Sequence, residues 1–207
     1  QSTNENAQRT YARVMKFFII ACCFCFLAVV LFLDIWKYFM GTRHPEYYTG
    51  LKVVPILMVA KIFLGAYYNL SVWYKLTNRN LTGAWITIGG AAITILFNWI
   101  FIPIWGYMAC AIATILCYGF MMITSYVLGQ KHYPIPYAKK KLIAYIVICI
   151  LLFGIHQAFL LLDLNVWINR GVGLSLIGLF ASLILNVERK EFQKLPYIGK
   201  YFTPKIA

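Results

Sequence analysis

The sequence predicts an all-α, polytopic transmembrane bundle of about six spanning helices. Three observations carry that prediction. First, 62% of the 207 residues are hydrophobic and only 12% are charged, with a mean hydropathy of +0.73. A soluble domain of this size cannot hide so much apolar surface. Second, the apolar residues fall into runs long enough to cross a ~30 Å hydrocarbon layer as helices. Third, the basic residues sit between those runs and alternate in density from one connection to the next, as membrane insertion requires.

Residues 1–16 are polar and basic, with Arg9, Arg13 and Lys16, and read as a cytoplasmic lead-in. The six-helix lobe then fills residues 17–187. The first helix is expected over 17–33. A loop rich in Trp and Tyr follows, with Asp34, Lys37, Arg43 and Glu46 balanced in charge. The second helix is expected over 51–74, with Pro55 in its first turns, where a missing N–H matters least. Lys75 and Arg79 lead into a third helix over 83–102. Pro103 and Gly106 form a tight uncharged turn. A fourth helix covers 107–128. The stretch QKHYPIPYAKKK breaks it with two prolines and carries four lysines. A fifth helix covers 142–162 and a sixth 171–187, with Asp163 and Arg170 between them. Residues 188–207 form a basic tail.

Orientation follows from the cations. The lead-in, second connection, fourth connection and tail hold fourteen Lys and Arg; the opposite side holds four, and Lys61 completes the nineteen. Both ends of the chain are therefore placed in the cytoplasm. The net charge of +13 does not indicate nucleic-acid binding, because no soluble basic domain exists to hold it.

Lys61 is the most informative residue. It lies about ten residues into the second helix, ~15 Å deep at ~1.5 Å per residue. A cation at that depth costs at least ~2.5–3.5 kcal/mol, so it marks a polar path by default. Gly65, Tyr68 and Asn69 follow at spacings of four, three and one. They are expected on the same broad face, Gly65 leaving room beside the lysine stem. That face suits an anion or a sugar; the plainer role for Lys61 is a backbone contact or a snorkel, which is difficult from the midplane. Its counterion is not among the acids, which all lie in loops, tails or helix ends: Glu5, Asp34, Glu46, Asp163, Glu188 and Glu191. Asn98 is expected to bond between helices and, secondarily, to line the cavity. His156 and Gln157 read as helix contacts.

Small and polar residues recur at one spacing in two helices: Gly83, Thr87, Gly90, Thr94 and Asn98, then Gly171, Ser175, Gly178, Ser182 and Asn186. Each set shares a face that permits close helix approach. The offset of 88 is compatible with an internal repeat. The six cysteines lie in apolar runs; the Cys22–Cys25 pair has no nearby His, so they read as packing residues, and no metal or other cofactor is expected. Motifs for catalysis are missing: no nucleophile elbow, phosphate loop or H-E-x-x-H, and His44 with Glu46 is too little to name a site. No enzyme is expected.

Several stretches nevertheless carry a resemblance. PILMVAKIFLGAYYNLSVWYKLTNR, FNWIFIPIWGYMACAIATILCY and YVLGQKHYPIPY resemble bacterial lipid-linked oligosaccharide (O-antigen-type) flippases. These belong to the multidrug, oligosaccharidyl-lipid and polysaccharide exporter superfamily. The markers are Asn69–Thr77, the Asn98, Pro103, Gly106–Tyr107 pattern, and Tyr133–Tyr137, and the likeness runs from about Arg9 onward. It implies a C-terminal lobe of a two-lobed transporter, which fits a sequence opening on Gln1. It further implies a polyprenyl-pyrophosphate-linked oligosaccharide as cargo, membrane lipids and an N-terminal lobe as partners, and a bacterial inner membrane as location. Substrate contacts are then expected from Lys61, Tyr68, Asn69 and Asn98. Two positions depart from the family: Asn is more usual where Lys61 stands, and Gly or Ala where Cys110 stands. An integral-membrane enzyme of glycan or lipid assembly, a drug exporter of the same superfamily, and a non-transporting assembly subunit are the alternatives.

Overall fold

The computed structural model describes residues 2–39, 50–162 and 165–192. Arg43, His44, Glu46, Asp163 and the tail beyond residue 192 lie outside the described residues. Among the described residues every regular element is helical. They are α1 (Ser2–Val30), α2 (Leu33–Phe39), α3 (Val54–Leu70), α4 (Val72–Leu76), α5 (Asn80–Trp105), α6 (Tyr107–His132), α7 (Lys139–Leu160), α8 (Val166–Val187) and α9 (Arg189–Phe192). Among the described residues six segments are long and apolar enough to cross a membrane: Glu5–Val30, Gly50–Leu76, Asn80–Trp105, Tyr107–His132, Lys139–Leu160 and Val166–Val187. Their number is the six expected. The chain is an all-α, multi-pass membrane protein. Its outer surface demands lipid: Trp99 is 78% exposed and Trp85 70%, which water tolerates poorly on this scale.

The helices are longer than the hydropathy runs. Residues 2–16, expected as a loop-like lead-in, continue α1. This stretch holds no Gly or Pro, and Glu5 pairs with Arg9 one turn on at 3.9 Å. Pro103 falls inside α5 rather than in the turn. It removes one hydrogen bond close to the helix end, where little is lost. The turn itself rests on Gly106, whose φ of +56° suits a residue without Cβ. Between α4 and α5 the chain reverses through Asn78 at φ +53°, a residue type that tolerates the left-handed region. Ser71 interrupts the second span only slightly: its N–H bonds Tyr67 O at 2.8 Å, and helical dihedrals carry α3 into α4.

The chain divides into two compact units, Gln1–Ile146 and Val147–Ala207. In the first, α6 is central. It packs against α5 and α3, and α1 packs against α3. Tyr67, Ile86, Cys117 and Met121 form a buried cluster there. Small residues set the approach distances. A Cβ on Gly90 would stand 2.9 Å from Met121 Sδ and 3.0 Å from Cys117 Sγ. The Gly83–Gly90 stripe is thus a packing seam, as membrane helices require. In the second unit α8 buries Gly173, Phe180 and Ile184. Its matching stripe differs: among the described residues, a Cβ at Gly171 or Gly178 would meet nothing within 4 Å. The two stripes share spacing and not surroundings.

Candidate functional site around Lys61

Lys61 is exposed on α3, near the middle of the Gly50–Leu76 span. Leu57 and Tyr68, also exposed, share its stripe at helical spacing. Tyr68 is 62% exposed. The neighbour of Lys61 comes from α6: its Nζ lies 5.8 Å from the centroid of the Tyr118 ring. That is within cation–π range, and such a contact contributes about 0.5–1 kcal/mol at an exposed position. The cost of a midplane cation, at least ~2.5 kcal/mol, is larger. Tyr118 alone does not offset it.

The expected common face of helix two is split. Gly65 is buried, and a Cβ there would stand 2.5 Å from Phe18 Cε1 and Cζ of α1. The space expected beside the lysine stem is occupied by a phenyl ring. Asn69 turns the same way as Gly65 and donates its amide to Gly65 O at 3.1 Å. Lys61 and Tyr68 therefore face outward from the α1 contact, while Gly65 and Asn69 serve helix packing.

Asn98 is not beside Lys61. Cys117 neighbours both Tyr118 in sequence and Gly90 in space, which sets Lys61 level with Gly90. Asn98 lies eight residues further along α5, roughly 12 Å toward the Gly106 end. Its Oδ1 is buried without a hydrogen-bond partner. Such an atom carries a desolvation cost of about 1–3 kcal/mol. Tyr118 itself was legible only as one of the polar residues Thr114, Tyr118 and Ser125 along α6. Lys16, within the Glu5–Val30 span, is only 8% exposed, with Nζ 5.8 Å from the Phe17 ring. His156, in the second unit, is buried at 4% exposure.

The two ends of the first unit are unlike. At one end, Arg79 Nη1 lies 2.7 Å from His132 Nε2, and His132 Nδ1 lies 2.9 Å from Leu128 O. Arginine can only donate, so His132 accepts through Nε2 and donates through Nδ1. The His132 ring also stacks on Trp73, 5.4 Å away and 9° from parallel. Trp73 is 1% exposed and donates to Ser125 Oγ at 3.2 Å. Nearby, Glu5, Gln8 and Arg9 of α1 meet Gln130, Pro134 and Pro136 around a cavity of about 420 Å³. Ile135, 2% exposed, anchors the proline segment, and its carbonyl accepts from Gln130 Nε2 at 2.8 Å. Burial, and then the Tyr126 phenol, push the Tyr137 phenol up to about 12. Lys139 Nζ sits 5.0 Å from the Tyr126 ring. Arg9 of α1, Arg79 between α4 and α5, and Lys139 at the start of α7 thus gather at one end.

Among the described residues no group of three or more His, Cys, Asp or Glu is placed to hold a metal ion. No family model matches the chain, and no curated protein or solved structure matches it.

Proposed function

We propose that the chain is the C-terminal part of a membrane flippase in polysaccharide biosynthesis. It would carry a polyprenyl-pyrophosphate-linked oligosaccharide from the cytoplasmic to the outer leaflet of a bacterial inner membrane, by alternating access of two lobes. The gathered cations support a cytoplasmic assignment for that end, and hence for both ends of this segment. The observation that carries the reading is Lys61. It is an exposed cation at mid-span whose aromatic neighbour, the Tyr118 ring, is too weak to offset its placement. An anionic headgroup passing that level supplies the missing stabilisation. Tyr68 offers a hydroxyl about 10 Å further along the same stripe. The sequence resemblance supplies the identity of the cargo.

The test is flipping of a fluorescent lipid-linked oligosaccharide by the complete transporter in vesicles. Lys61→Met is expected to insert normally and to reduce flipping at least ten-fold, and Lys61→Arg to retain partial activity. Wild-type flipping by the Met variant at equal protein level removes Lys61 from the substrate path. Glycan product formed without any flipping would point instead to a membrane enzyme of glycan assembly.

A further inference from the structure

We infer that the first unit binds an anionic phospholipid, one acyl chain lying in a groove between α1, α3, α6 and α7 and the phosphate resting at the lysines that open α7. The groove is a cavity of about 270 Å³ walled by apolar atoms, with Ile19, Ala66, Ile123 and Ile143 on its four helices. Ile123 and Ile143 are 59% and 62% exposed. The groove therefore opens on the surface where lipid tails lie. Left empty, it would strip its lining of dispersion contacts on one side. Its volume falls just under the ~300 Å³ at which small-molecule pockets begin. It takes part of one chain, not a whole lipid.

Its polar end defines the headgroup. Lys139 lines the same groove, held over the Tyr126 ring, and Lys140 and Lys141 follow it, both exposed. Among the described residues no acid lines the groove. A zwitterionic lipid offers these lysines a phosphate already offset by its own cation, and a free phosphate leaves the groove unfilled. A peptide would bring backbone donors that an apolar wall cannot satisfy. A bilayer phospholipid meets both requirements, and its abundance favours it by mass action. Basic pockets between helices hold acidic headgroups in this way. The assignment stands apart from the transport reading and does not use Lys61.

Native mass spectrometry of the full chain in detergent tests it. The first bound lipid is titrated as dioleoylphosphatidylglycerol or dioleoylphosphatidylcholine. The wild type is expected to prefer phosphatidylglycerol, and the triple variant K139Q/K140Q/K141Q to lose that preference by roughly five-fold per lysine while keeping its affinity for phosphatidylcholine. Ile123→Trp, a surface change that fills the groove from α6, is expected to weaken both lipids; Ile143→Trp does the same from α7. Equal affinity of the wild type for the two lipids overturns the assignment. So does wild-type binding by both groove-filled variants. Displacement of phosphatidylglycerol by equimolar polyprenyl phosphate would assign the groove to an isoprenoid chain and overturn the phospholipid.

Discussion

Gly129→Ala probes the contact that ties α4 to α6 at the cation-rich end. A Cβ at Gly129 would stand 2.8 Å from Trp73 Cδ1, 3.1 Å from Nε1 and 3.2 Å from Cγ. The indole has little room to retreat. It is 1% exposed, bonded to Ser125 Oγ, stacked on His132 and set edge-on to Tyr74 at 5.6 Å and 82°. Overpacking of this kind costs about 1–3 kcal/mol. Replacing a helical glycine by alanine returns up to ~1 kcal/mol of helix propensity. The net expectation is a loss of about 1–2 kcal/mol. At ~2–4 °C per kcal/mol for chains of this length, the midpoint falls by about 2–8 °C. Gly154→Ala is the control, since nothing lies within 4 Å of its Cβ position. It should match or slightly exceed the wild type. The assay is the fraction of monodisperse protein after heating in detergent, read by size exclusion. Adding Trp73→Phe to Gly129→Ala should recover part of the loss, because the smaller ring clears the methyl. A Gly129→Ala midpoint equal to that of Gly154→Ala would refute the close approach.

Ser125→Ala removes the acceptor of a buried indole N–H, so a loss of about 1–3 kcal/mol is expected in the same assay; no change would show that the bond carries no stability. Alkaline pH should destabilise the fold through Tyr137. Its phenol is held protonated to about 12 in the fold against 10.0 as the ordinary value, so the unfolded chain loses its proton first. The stabilisation is whole below pH 10 and fades between pH 10 and 12. The wild type should therefore lose more stability than Tyr137→Phe between pH 9 and 11.5, and parallel losses would contradict the burial. Reporter fusions after Arg79 and after Gly106, at opposite ends of α5, should report opposite sides of the membrane. The same side for both would sink the six-span topology.

The sequence by itself determined the six spans, their order and the uneven placement of cations. These follow from local composition: each residue adds its own transfer cost, and ~20 apolar residues in a row suffice whatever their neighbours. The depth of Lys61 was legible for the same reason, since it needs only a residue count and a helical rise. Hydropathy ended too early at residue 17, because it registers where lipid begins and not where hydrogen bonding stops. Only the tertiary structure decided which way each face turns. Lys61, Gly65, Tyr68 and Asn69 read as one surface, yet Phe18 of α1 claims Gly65 and leaves Lys61 to Tyr118 of α6. The stripes at Gly83–Gly90 and Gly171–Gly178 read alike, yet one is a seam and the other has open space. Between helices in lipid there is no apolar driving force to select a face, so the choice falls to shape complementarity with partners distant in sequence. The groove beside Lys139 has the same origin: four helices wall it, and no single one of them encodes it.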